Sequence, residues 1–337
     1  MERVTLLPAL AGAAGMVFVG GSVAVSGALA DAPMFTVQAA RYAVACLLLV
    51  LFVRLTGRRL VRPRGTDWLW LVGVVLTGML LFNVALVLGS RHAEPAVLGV
   101  AVACVPVLLA VAGPLLEGHG PAPRLVAAAV VVTGGAALVQ GFGRADLTGL
   151  LWAVVTFACE AGFTLLAVPV LGRHGAFGVS VHACWLAAVV FAVTGLVWEG
   201  PGALGRLGAD DVLAGAYLAV AVTAVAFVLW YSCVERIGSA RAGLLTGVAP
   251  IAAAVAGVAL GGPVPGVMVW LGVAVVAAGL ALGFRAAPSG RAPASSSPPS
   301  RTGRASPDRA GISRCPGQDR ADVPPPVSSG RGSMSRR

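Results

Sequence analysis

From its N-terminus the chain reads as a series of long apolar blocks separated by short stretches of charge, Gly and Pro. Each block is about 20 residues, the length a helix needs to cross a hydrocarbon layer while satisfying its own backbone hydrogen bonds. Membrane strands would alternate polar and apolar positions, and runs such as Val97 to Leu116 do not. The pattern predicts ten spans, near residues 5–29, 34–55, 68–89, 95–116, 124–142, 149–171, 176–198, 211–233, 240–260 and 265–284. Arg3, the apolar run after it and Ala28-Leu29-Ala30 resemble a cleavable signal peptide. The run from Val4 to Ala30 is far longer than the ~7–15 residues of a signal-peptide core, so it reads as the first span.

Composition turns this pattern into a class. The chain is 58% hydrophobic and 11% charged, with a mean hydropathy of +0.89. A soluble domain is about 25% charged and has no means of covering so much apolar surface. The formal charge of +10 does not point to nucleic acid. Residues 286–337 hold nine Arg and three Asp, so +6 of it belongs to this segment. The segment is rich in Ser, Pro, Gly and Arg without apolar periodicity, and reads as a disordered cytoplasmic tail. Of the six cysteines, Cys46, Cys104, Cys159, Cys184 and Cys233 fall in apolar spans and Cys315 in the tail, with no metal-ligand spacing. Neither a metal nor a cofactor is expected.

Charge also orients the chain. With the N-terminus inside, Arg3, Arg54, Arg58, Arg59, Arg62, Arg64, Arg124, Arg173, Arg236 and Arg241 fall on the cytoplasmic side. Only Arg91, Arg144 and Arg206 fall outside, beside Asp31, Glu94, Asp146, Glu199, Asp210 and Asp211. This is the bias of the positive-inside rule, and it predicts both termini in the cytoplasm.

A shift of 144 residues superposes the end of one half on the end of the other. Pro106 falls on Pro250, Ala110-Val111-Ala112-Gly113 on Ala254-Val255-Ala256-Gly257, Pro121 on Pro265 and Gly135 on Gly279. Each unit holds five spans, and an odd number forces the second copy to enter the membrane upside down. The expected fold is therefore an all-α integral membrane protein: ten transmembrane helices as two inverted five-helix repeats, residues 1–143 and 144–285, then the tail at 286–337. Inverted repeats are a physical basis for alternating access around a site near the midplane.

Leu229-Trp230-Tyr231-Ser232, Gly238-Ser239-Ala240-Arg241-Ala242-Gly243-Leu244-Leu245 and Ala249-Pro250 resemble the EamA-type repeat of the drug/metabolite transporter superfamily. The first half offers Ala85-Leu86, Ala96, Gly99, Val105-Pro106, Glu117 and Gly134-Gly135 at the matching places, and Arg41 in the second span. Two departures stand out: Leu116 precedes Glu117 where the family has Gly, and Gly261-Gly262-Pro263 replaces the equivalent Glu in the second half. The resemblance covers roughly residues 5–285. It implies transport of a small metabolite, amino acid or drug-like solute, often by export, and leaves the substrate open.

Ionisable groups inside a bilayer cost at least about 2.5–3.5 kcal/mol, so each calls for a reason. Glu160 lies about 11 residues into its span, roughly 16 Å deep and close to midplane. Trp152, Thr156, Glu160 and Thr164 recur every four residues as one stripe that should face the bundle. Glu160 reads either as a binder of a substrate amine or a coupling proton, or as a structural carboxyl between helices. Arg41, with Gln38 one turn before it, either snorkels to the interface or meets an anionic group or Glu160. His182, with Trp185 one turn on, lies at similar depth from the opposite side and is either a packing residue or a site residue. Asn83, Trp230 and Tyr231 are further candidates for a pocket. Gly243-xxx-Gly247 and Gly257-xxx-Gly261 predict close helix contacts.

No Walker-type loop is possible in a chain without Lys, so energy would come from a proton, another ion or the solute gradient. The expected partners are a small solute, a coupling ion and the lipid bilayer, with the chain a monomer or homodimer. The competing classes are an intramembrane lipid-modifying enzyme and a non-transporting membrane partner. Neither HExxH nor paired carboxylates support the first, and the repeat weighs against the second.

Overall fold

The structure, a computed structural model, describes residues 3–26, 29, 31–262 and 264–285. The Arg3 side chain, Ala28, Ala30, Pro263 and all of 286–337, including Cys315, lie outside the described residues. Ten helices are long and apolar enough to cross a membrane: α1 Arg3–Ser26, α2 Met34–Leu55, α3 Asp67–Gly89, α4 Pro95–Leu116, α5 Pro123–Gln140, α6 Leu147–Leu165, α7 Val168–Trp198, α8 Ala209–Ile237, α9 Ser239–Ala259 and α10 Val267–Arg285. Among the described residues there is no strand, only a single antiparallel rung between Ala93 and Ala145. Leu47, Leu69, Leu151 and Val193 lie exposed on the outer faces, while Leu49, Leu71, Met79 and Phe191 are buried between helices. An apolar exterior of this kind is stable only against lipid. The protein is a multi-pass membrane protein.

Most bounds lie within a few residues of the expected spans, and the largest departure is between the sixth and the seventh. The sixth span was expected to reach 171, but α6 stops at Leu165 and α7 starts at Val168. Pro169, in the first turn of α7, has no N–H to continue α6 but fits a new helix start. The expected loop at 172–175 is instead a kink inside α7, where Gly175 takes φ 66° and the helix restarts. Only a residue without Cβ adopts that angle at little cost.

The 144-residue shift extends into the irregularities of the helices. α3 widens to a π-helix over Leu76–Leu81 and α8 over Leu218–Val225, at corresponding positions. In α8 the Thr223 hydroxyl donates to the Leu218 carbonyl five residues back, at 2.8 Å. In α3 the Asn83 amide donates to the Met79 carbonyl at 2.6 Å. Such side-chain bonds compete with the regular ladder, and π-bulges of this kind collect at functional sites. Similarly, α4 loosens at Cys104 ahead of Pro106, and α9 tightens to a 3₁₀ turn at Leu245–Gly247 ahead of Pro250. Each proline leaves the carbonyl four residues before it without its helical donor.

Helices of one half pack on helices of the other. α1 lies against α8 and α9, α6 against α3 and α4, α2 against α7, and α5 against α10. At the α5–α10 seam a Cβ on Gly135 would sit 2.6 Å from the Val276 nitrogen, and one on Gly279 2.7 Å from Val132 Cγ2. Gly243 and Gly247 likewise press on Leu109 and Val132, whereas Gly257 has open space around it. The second small-residue pair is therefore not a helix contact: Gly261 lies past the end of α9, in a turn with φ 87°.

Candidate functional site

A cavity of about 350 Å³ lies between α1, α2, α3, α6 and α8. Its lining runs from mid-helix residues to Ser22, Leu29, Met34 and Val87 at the end of the bundle where α1 finishes and α2 begins. The repeat supplies most of the wall in pairs. Met16 and Val19 of α1 correspond to Glu160 and Phe163 of α6. Gly78, Phe82, Asn83 and Leu86 of α3 correspond to Val222, Ala226, Phe227 and Trp230 of α8. Gly78 lies within the π-segment of α3 and Val222 within that of α8, and the other residues of these pairs follow directly after.

Glu160 lines this cavity and has no hydrogen-bond or ion-pair partner among the described residues. Arg41 lines it too, but its Nε donates to Thr223 Oγ1 at 2.7 Å and its Nη1 to Gln38 Oε1 at 3.2 Å, so it is not paired with Glu160. Gln38 in turn donates through Nε2 to Asn83 Oδ1 at 2.7 Å. The chain Thr223–Arg41–Gln38–Asn83 thus holds one fixed guanidinium in the wall without neutralising it. The deep cation is satisfied by neutral acceptors and does not need to snorkel. Phe82, Phe163, Phe227 and Trp230 supply aromatic surface, and Trp230 Nε1 donates to Thr164 Oγ1 at 3.0 Å.

The other sequence candidates lie elsewhere. Thr156 is buried and donates to the Trp152 carbonyl at 2.8 Å, and neither residue lines the cavity. Tyr231 is wholly buried, its hydroxyl donating to the Phe163 carbonyl at 3.1 Å behind the aromatic wall. His182 faces the opposite end of the bundle. Its Nε2 lies 2.9 Å from the Val61 carbonyl of the α2–α3 loop, and its Nδ1 accepts from Trp185 Nε1 at 3.1 Å. These two bonds fit a neutral ring with its proton on Nε2. Trp68 meets Trp185 edge-on with ring centroids 5.9 Å apart. Under the shift His182 and Trp185 are the counterparts of Gln38 and Arg41. One pair lines a cavity while the other is covered by a loop.

Sequence reading did not single out Met16, Phe82, Phe163 or Phe227, since apolar residues in apolar helices carry no contrast. Applying the 144-residue shift to Glu160 and Asn83 points to Met16 and Phe227. It also did not anticipate how carboxylates join the halves. Glu199 accepts from Phe35 N and Thr36 N, both at 2.8 Å, at the start of α2. Glu117 accepts from Ser239 N at 2.8 Å and its Oγ at 2.6 Å, at the start of α9. Each satisfies N–H groups that a helix start leaves open, and its charge suits the helix dipole. Asp67 receives Arg173 at 2.6 Å and His174 at 3.2 Å, tying α3 to α7.

Among known proteins, the chain is similar to an uncharacterized transporter of Bacillus subtilis (strain 168), YetK, at 24% identity over 80% of this chain and 84% of that one. It is 29% identical to a probable terminal-alkyne amino-acid exporter of Streptantibioticus cattleyicolor, over 66% of this chain and 74% of the other. A solved crystal structure superposes with a TM-score of 0.71 at 18% identity, covering 82% of this chain and 95% of that one, which shows a shared fold. The model of the EamA-like transporter family matches twice, over residues 6–140 and 147–285, five spans in each match. The chain belongs to the EamA-like transporter family and is a membrane transporter.

Proposed function

We propose that the chain is a secondary transporter that exports a small amphipathic solute carrying an amine, an amino acid being the first candidate, by alternating access. The observation that carries this reading is Glu160: a carboxyl group with no partner among the described residues, lining a cavity whose wall comes from both halves. A carboxylate so placed is costly to leave alone, and an ammonium group or a coupling proton relieves that cost. Arg41 in the lining of the same cavity provides for a carboxylate, and the aromatic wall for an apolar body. The amino-acid exporter among its relatives supports that substrate class.

Residues 1–143 and 144–285 are read as the two repeat units. With α2 starting on the outer side, as the Arg distribution favours, the cavity opens outward, and the loop over His182 and Trp185 closes the cytoplasmic end. Exchanging the conformations of the halves would uncover His182 and Trp185 as Gln38 and Arg41 are uncovered now. The membrane is then the cytoplasmic membrane, with both termini inside.

The test is expression in a transporter-poor bacterial host, with mass spectrometry of the medium. A metabolite that accumulates outside with the wild type and not with Glu160→Gln supports export through this site. Export unchanged in Glu160→Gln would remove the role assigned to the carboxylate.

A further inference from the structure

A second cavity, of about 430 Å³, opens at the opposite end of the bundle and shares no lining residue with the first. Val53, Arg58, Arg59 and Leu60 line it from the end of α2 and the loop after it, Phe177 and neighbouring residues from the restart of α7, and Arg236 from α8. We propose that this cavity binds a phosphate-bearing anion through Arg58, Arg59 and Arg236.

Three arginines line it, all exposed, and none of their guanidinium groups has an ion-pair or hydrogen-bond partner among the described residues. The carboxylate in its wall, Glu235, is turned to the Ala176 N–H at 3.3 Å, where α7 restarts after Gly175. Like charges gathered around a concave surface repel one another and attract counter-charge, and an anion of two charges is the complement. Arg58 is already oriented: its guanidinium lies over the Phe177 ring at 4.5 Å, and Phe177 stacks on Phe52 at 5.2 Å. A stacked guanidinium keeps its planar fork available for the bidentate geometry that phosphate favours. The volume exceeds what a bare ion needs and falls in the range of organic ligand sites. Positive-inside topology explains why Arg is common at this end, but Arg62 and Arg64 meet that need equally without lining the cavity.

The phosphate can belong to a soluble organic phosphate or to a phospholipid headgroup, and the experiment separates them. The full chain, purified in neutral detergent, is melted with increasing glycerol 3-phosphate, and separately with phosphatidylglycerol or phosphatidylcholine in mixed micelles. Saturable stabilisation by glycerol 3-phosphate identifies a soluble ligand. Stabilisation by phosphatidylglycerol and neither of the others identifies an anionic headgroup. In either case Arg59→Gln/Arg236→Gln should abolish the shift, and Arg62→Gln/Arg64→Gln should retain it. Arg58→Lys keeps the charge but loses the fork, and should raise the half-effect concentration about tenfold, roughly one charge-assisted bond. That single variant decides the matter should the double one not fold. No stabilisation by either phosphate, or equal loss in the Arg62→Gln/Arg64→Gln control, overturns the proposal.

Discussion

α2 and α7 are counterparts under the 144-residue shift, and each carries a polar pair three residues apart that is joined by a hydrogen bond. In α2 the pair is Gln38 and Arg41, which line an open cavity. In α7 it is His182 and Trp185, sealed under the Val61 carbonyl and the edge of Trp68. The backbone scaffold is shared, but the chemistry and the access are not. Packing positions such as Gly135 and Gly279 had to stay alike, because each seats the other half's helix. Positions facing the cavity diverged, as Met16 and Glu160 show. At these positions repetition marks what holds the halves together, and divergence marks what they handle.

The sharpest way to break that comparison is to erase the divergence. Glu160→Met gives α6 the residue that α1 has at Met16, and export should fall at least about tenfold while the protein still inserts, as expected on losing a charge contact at depth. Export at wild-type rate would mean that the asymmetry is incidental. Next in size is the shared seam. Gly135→Leu and Gly279→Leu should each lower stability by about 1–3 kcal/mol through overpacking, and by similar amounts. A loss at one seam glycine alone, read by thermal unfolding, would deny their equivalence.

A smaller effect concerns access. His182→Ala removes the bond to the Val61 carbonyl, about 1 kcal/mol, and should shift the balance between the two openings roughly fivefold. In a Ser22→Cys chain, labelling by an impermeant thiol reagent from the outer face should drop accordingly. Unchanged labelling would show that His182 does not hold the closed end.

The smallest effect is at the loops of the open end. Asp146 is held below the usual carboxylate range by the Gly149 N–H, and by His92 beside it at 2.9 Å. A depressed pKa stabilises the fold fully above the ordinary carboxylate value, near 3.9, and that stabilisation is lost as pH falls through the lower folded value. Melting curves between about pH 5 and pH 2 should show a small decline that Asp146→Asn lacks.

The sequence by itself determined the solvent, the span count and the repeat. Those rest on block length, on charge excluded from lipid and on local matches such as Pro106 with Pro250, none of which needs a contact map. It also marked Glu160, because a lone carboxylate amid apolar residues has high contrast. Only the tertiary structure decided which marked residues meet. Glu160, Arg41, Gln38, Asn83 and Trp230 share a wall, while Thr156, Trp152 and Tyr231 stay out of its lining and His182 lies at the other end, bonded to the Val61 carbonyl. The reason is physical. Depth in the membrane follows from counting along a helix, but the face a residue presents depends on π-turns, on the Gly175 kink and on which helix packs alongside, and these are settled by contacts between residues far apart in the chain.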